Sequence, residues 1–107
     1  MALGKAQKLL DASTSTETGS GIRSINSKRA VQVIGSTSSG TGSATIAIEG
    51  SLDGTNYLCL GTITLSLTTT DSNDGFVVDG PWLFTRADLT AISGTGASVT
   101  CYLADEG

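Results

Sequence analysis

Ten carboxylates and two thiols, with no histidine, are the side chains of this 107-residue chain that could do chemistry. Without an imidazole there is no Ser-His-Asp or Cys-His couple and no imidazole metal ligand. Two cysteines fall short of a four-thiolate zinc site. The run DSNDG at 71–75 brings together Asp71, Asn73 and Asp74, the oxygen-rich composition a calcium loop uses. Gly75 stands where a third ligand is needed and no terminal Glu follows, so the segment reads as a solvated turn. Asp53, Asn56 and Asp79 are a second oxygen set that only the fold can bring together. Paired carboxylates for glycoside hydrolysis are allowed by count alone. Yet the acids fall in turns and at the terminus, and Glu49 and Asp88 read as outward-facing strand residues. No catalytic residue, no metal ligand and no cofactor is assigned, and an enzyme is not expected.

Five side chains draw further notice. Cys59 and Cys101 both fall on the inner phase of expected strands, where a free thiol packs as a small hydrophobe; a disulfide is the alternative. Tyr57 and Trp82 are the aromatics on which a sugar ring would stack, with core or interface burial the plainer reading. Arg86 is the only cation after residue 29 and is expected to form an ion pair with Asp88 or Asp79. The GTG and GSG tripeptides are turn signals, because no Lys-Ser/Thr follows them and no helix is expected after them.

The elements that must position these residues are almost all strands. Residues 1–12 are open between a short helix and an extended stretch. Residues 13–21 (STSTETGSG) are low-complexity and polar, and read as a loop or flexible joint; 22–27 suit a short strand. From residue 28 the period is two: Val31 and Val33 alternate with Gln32. Residues 36–43 read as a Gly-rich turn. Ala44, Ile46 and Ile48 then alternate with Thr45, Ala47 and Glu49. The Asp-Gly pair in SLDGTN (51–56) tolerates the positive φ of a hairpin turn. Residues 57–67 form one long strand or two split near Gly61, 68–75 a polar loop and 76–79 a short extended piece. Beyond Gly80-Pro81, Thr85, Ala87 and Leu89 share one face of a strand and Trp82, Phe84, Arg86 and Asp88 the other. Ala97, Val99, Cys101 and Leu103 line the last strand. RAVQVIGSTS-SGTG-SATIAIE and RADLTAI-SGTG-ASVTCYLA share an Arg-Ala opening and an SGTG turn, which points to two equivalent hairpins. Recurring turns and β-branched residues imply an all-β antiparallel sandwich or jelly roll. It would carry an extended amino-terminal arm, with 1–27 as arm and joint and 28–107 as the sandwich.

Gly, Ser and Thr together occupy 44 positions, and the net charge is −4. The charge is split: residues 1–29 hold five cations against two acids, for +3, and residues 30–107 hold Arg86 against eight acids, for −7. An acidic body argues against nucleic acid or an anionic membrane as partner. No apolar run approaches the ~20 residues of a bilayer span, and no secretory leader is expected. The chain therefore reads as cytosolic, or as part of something assembled in a cytosol, with its thiols reduced.

Over residues 40–104, ATIAIEGSLDGTNYLCLGTITLSL followed by GPWLFTRADLTAISGTGASVTCYLA resembles the small β-sandwich proteins of tailed-phage structural gene clusters. The shared features are the EGS turn, DGTN before an aromatic, LGTIT, PW opening a strand and the SGTG hairpin. Within that group the chain is similar to capsid decoration (cement) proteins. The resemblance implies a homo-oligomer, dimer or trimer, that is assembled in the host cytoplasm. It would sit on the outer capsid surface of the virion and bridge neighbouring subunits of the major capsid protein. The cations of the arm, Lys5, Lys8, Arg23, Lys28 and Arg29, are then the expected capsid contacts. A second likeness, to galactose-binding-like sandwiches of tail or head fibres, implies a carbohydrate- or receptor-binding module using Tyr57 and Trp82.

Overall fold

The computed structural model describes residues 7–19, 21–23, 28–79 and 82–105, at 28, 76, 79 and 105 by backbone alone. In chain order the strands are β1 (Gln7–Ser13), β2 (Glu17–Thr18), β3 (Ile22–Arg23), β4 (Lys28–Ser36), β5 (Ser39–Ser51), β6 (Leu58–Leu67), β7 (Ser72–Asp79), β8 (Phe84–Thr95) and β9 (Ser98–Asp105). They form two sheets. One runs β1-β9-β4-β7; the other runs β2-β8-β5-β6, with β3 also on β8. Every pairing is antiparallel. With β2 and β3 counted as one interrupted strand, this is the eight-strand order of a jelly roll, in which successive strands alternate between two packed sheets except for the β5–β6 hairpin.

The period of two explains the layers. On β5, Ala44, Ile46 and Ile48 are buried between half-exposed Thr45, Ala47 and Glu49. On β8, Thr85, Ala87 and Leu89 are buried between half-exposed neighbours, and Ala97, Val99, Cys101 and Leu103 point inward on or just before β9. Together with Val31, Val33, Ile63, Leu65, Leu67 and Val78 they make one core. Alternation sends one set of side chains inward and leaves the hydroxyl-rich set in water.

The two SGTG segments are not hairpins within a sheet: the first opens β5, the second closes β8, and they pair antiparallel through Ser39 and Thr95. β4 lies in one sheet and its successor β5 in the other; β8 and β9 cross the same way, and β4 pairs β9 while β5 pairs β8. Each SGTG thus belongs to an arch between sheets, and the arches meet at one end of the sandwich. Ser38 donates from its N to the Thr95 carbonyl at 3.0 Å, and Ser43 donates from its N to Ser93 Oγ at 3.2 Å. A Cβ on Gly42 would sit 2.0 Å from the Ser93 carbonyl oxygen, so only glycine permits this approach.

Three expected turns are shorter than the sequence implies. Only residues 37–38 separate β4 from β5, and β7 begins at Ser72, so just 68–71 remain of the loop expected over 68–75. Ladder hydrogen bonds to β4 outweigh the polar composition of Ser72–Gly75. The joint expected over 13–21 contains β2, which pairs with Asp88 and Leu89 of β8. Residues 7–13 of the arm are extended and lie on the sheet as β1, paired with β9. Register shifts at Lys8/Leu10 and Leu10/Ser13 bulge this strand, and Ala12 takes a φ of 48°. Leu9 is the extra residue of the first bulge, which is how adjacent Leu9 and Leu10 both face the core.

Candidate functional site

The cations expected at a shell contact are scattered by the fold. Lys5 lies outside the described residues, and Lys28 is described only by its backbone, opposite Asp79. Lys8 is exposed on β1, with Nζ 3.2 Å from Asp11 Oδ1 and 6.0 Å from the ring centre of Tyr102. Arg23 is exposed on β3. β1 touches β8, the strand that carries β2 and β3. Lys8 and Arg23 therefore belong to the same flank of the sandwich. The opposite flank is formed by β6 and β7, with Asp71 and Asp74.

Arg29 departs from expectation. Only 2% of it is exposed, so it offers nothing to an outside surface. It lies in phase with Val31 and Val33 on β4 and reaches across the core. Its Nη1 donates to Thr85 Oγ1 on β8 at 3.1 Å, and its Nη2 donates to the Trp82 carbonyl. A guanidinium provides donors in several directions from one rigid plane, which suits it to tying two sheets together. Arg29 is a structural brace between the layers.

Both flagged aromatics already have packing partners. Trp82 is half-buried against the core; a Cβ on Gly50 would stand 3.0 Å from its ring and 2.9 Å from Leu60, so both side chains lie over that glycine. Tyr57 carries Arg86 on its ring face, the guanidinium 3.8 Å from the centroid. Arg86 pairs with Glu49, its cross-strand neighbour, through Nε–Oε1 at 2.6 Å, and not with Asp88 or Asp79. Sheet register decides this partner: Glu49 and Arg86 are directly opposite on one face. The stack of carboxylate, guanidinium and phenol was not evident from spacing, because its members stand 37 and 29 positions apart along the chain.

The cysteines part company. Cys101 is buried, and desolvation pushes its thiol up to about 12, so it stays a neutral core group. Cys59 is exposed, contrary to the inner-face reading. The cause is a bulge: Ile48 faces Gly61 while Glu49 faces Cys59, leaving Leu60 as an extra residue. One added residue turns the rest of the strand over. Both thiols are free.

The oxygen set at 71–75 does not converge; of the other, Asp53 meets Asn56 and Asp79 is described by its backbone alone. Asn73 and Asp74 are successive residues of β7 and so point to opposite sides of the sheet. Asp74 Oδ1 accepts from the N–H of Gly75. Asp79 ends β7 in one sheet, whereas Asp53 follows β5 in the other. Among the described residues, no group of three His, Cys, Asp or Glu side chains could hold a metal ion.

Asp53 instead organises its own loop. Its carboxylate accepts from the N–H groups of Asn56 and Thr55, from Asn56 Nδ2 and from Ser51 Oγ, each at 2.8 Å. Gly54 turns the chain at φ 78°. The backbone N–H of Asn56, then that of Thr55, then the Asn56 amide and the Ser51 hydroxyl, hold the carboxyl well below its ordinary 3.8. A depressed folded-state pKa means the loop's stabilisation is present above the unfolded value and is lost as pH falls through the folded one. In a carboxyl ¹³C titration, Asp53 is expected to remain ionised where an ordinary aspartate is half protonated, and Asn56→Ala to raise its midpoint. An Asp53 midpoint in the ordinary range would refute the loop's role.

Beyond these clusters lies a shallow groove of about 340 Å³ on the outer face of the four-stranded sheet. It is lined by Ala30, Val31, Gln32, Tyr102 and Ala104. Exposed Val77 is the cross-strand neighbour of Ala30. Compared with known proteins, the chain matches no family model, no curated protein and no solved structure.

Proposed function

We propose that this chain is a non-enzymatic structural protein of a tailed-phage virion, a homo-oligomeric decoration protein. It binds the outer surface of the capsid and stabilises it by bridging neighbouring major capsid subunits. The observation that carries the reading is what the resembling residues, 40–104, do in the fold. They supply most of the core strands and the turns that join them. The reading places the role on the outside of a small body with two faces and two flanks. The exposed cations Lys8 and Arg23 lie on one flank beside the exposed acids Asp11 and Glu17, with Lys8 paired to Asp11 at 3.2 Å. Several weak contacts made by one oligomer add through avidity, by ~10²–10⁴-fold.

The test is co-sedimentation of the purified chain with capsids that lack it. The wild type is expected to co-sediment. The Lys8→Glu/Arg23→Glu variant, changed only at exposed positions, is expected to bind about tenfold more weakly. Equal binding by the variant argues against the flank, and a wild type that stays in the supernatant argues against the function.

A further inference from the structure

The two sheets have four lateral edges, and three of them carry features that keep edge strands from pairing with other chains. β1 is bulged twice and carries Lys8 and Asp11. β2 and β3 are two-residue pieces. β7 carries Asp74 and Asp79 in its sequence. The fourth edge, β6, carries a single bulge at Leu60 and no other of these devices. Its ten residues, LCLGTITLSL, include no charge and no proline, and its ladder with β5 is regular from Gly61 to Leu67. Among the described residues β6 pairs with β5 alone. Alternate residues of the strand therefore turn their N–H and C=O groups away from β5, and of these the Ser66 carbonyl already accepts from Ser72 Oγ at 2.9 Å.

We propose that β6 is a self-pairing edge. A second copy of this chain adds to it antiparallel, about a two-fold axis near Thr64, and joins two five-stranded sheets into one. Three observations single out a second copy as the occupant. First, Thr62, Thr64 and Ser66 are exposed and alternate with buried Ile63 and Leu65. Antiparallel pairing about Thr64 sets hydroxyl against hydroxyl and apolar side chain against apolar side chain, because opposed residues share a face. Second, the molecule carries a net charge of −4 and repels its own kind over most of its surface. The uncharged edge is where two acidic copies can approach without like charges facing each other. Third, Leu58, 51% exposed, opens the strand, and a two-fold at Thr64 sets the 68–71 loop of the second copy beside it. Asp53 and Asp71 lie beyond its two ends, so salt should tighten the dimer by screening them. One added strand pair buries less than a standard interface of ~1,200 Å², which places the dissociation constant on the order of 10–100 μM.

Sedimentation of the full chain over a range of concentrations, without capsids, tests the edge apart from the capsid role. The wild type is expected to approach twice its 10.8 kDa as concentration rises. Thr64→Lys, which places a charge on the edge, is expected to weaken association at least tenfold with an unchanged circular dichroism spectrum. If that variant does not fold, Cys59→Ser/Thr64→Cys decides the question. Opposed antiparallel residues lie ~4.5–5.5 Å apart at Cα, within disulfide reach. Oxidation should cross-link this variant, while a Cys59→Ser/Thr90→Cys control should stay single. A wild type that remains monomeric well above 100 μM would overturn the proposal. So would a folded Thr64→Lys variant that still dimerises, or a Thr64→Cys variant that cross-links no more than its control. A monomer would overturn the edge and the homo-oligomer while capsid binding is read separately by co-sedimentation, and failure to bind capsids would leave the edge standing.

Discussion

Replacing Arg29 with alanine is expected to lower the unfolding free energy by about 2–4 kcal/mol, the cost of a void between the sheets and of buried acceptors left without their donor. The side chain is almost wholly enclosed, and its guanidinium spans from β4 to Thr85 of β8 and to the carbonyl of Trp82. Alanine leaves a void between the sheets and deprives a buried hydroxyl and a carbonyl of their donor. An unpartnered buried polar group costs about 1–3 kcal/mol by itself. Lysine does not rescue the site, because one ammonium cannot reproduce the separated donors of the planar fork. Methionine, which restores volume without charge, is expected to lose less than alanine does. Urea unfolding measures this directly: the midpoint should fall with little change in slope. A loss below about 1 kcal/mol would mean that the brace is idle.

Deleting residues 1–13 is the second large effect. The sequence alone presents this stretch as part of an arm whose removal should leave the sandwich folded. In the structure it carries Leu9 and Leu10, 5% and 3% exposed, and covers β9 along a ladder from Gln7 to Ser13. Burying a leucine side chain contributes about 1.5–3 kcal/mol, so the pair supplies about 3–6 kcal/mol. A typical domain has only ~5–15 kcal/mol in all. The truncated chain is therefore expected to be largely unfolded or aggregated at 37 °C. Its newly exposed β9 edge would add to aggregation. Thermal unfolding followed by circular dichroism, with light scattering, gives the answer. A truncated chain that melts with the full chain would contradict the placement of β1. The consequence for function is practical: charge substitution at exposed Lys8 and Arg23 is the sound probe of the flank, and truncation is not.

How much of this was legible in advance depends on which physical signal each residue carries. Strands with strict alternation, such as Ala44–Ile48 and Thr85–Leu89, declare their inner face directly, because burial has the period of the backbone. That both SGTG segments lie where the chain turns was also visible. Their role as arches between sheets was not, since turn composition does not specify which sheet the next strand joins. β1 was hidden because adjacent leucines at 9 and 10 fit a helix face as well as a bulged strand, and a bulge leaves no mark in composition. The same blindness misplaced Cys59: its phase matched Gly61 and Ile63 until the extra residue at Leu60 reversed it. Arg29 had a usable signal. It shares the odd phase of Val31 and Val33, and an arginine on the inner phase of a strand implies an acceptor across the core. Type outweighed phase in the sequence reading, because arginine is so often exposed. The Glu49–Arg86–Tyr57 stack needed the register of β5 with β8 and the path of the 51–56 loop, neither of which local pattern supplies.

A reconstruction of the intact phage particle tests the central claim most directly. The account predicts a two-layered density of this size on the outer face of the shell, its β1–β3 flank in contact with two neighbouring major capsid subunits. A fully mature particle with no such density, or with this chain found only in its tail, would contradict it.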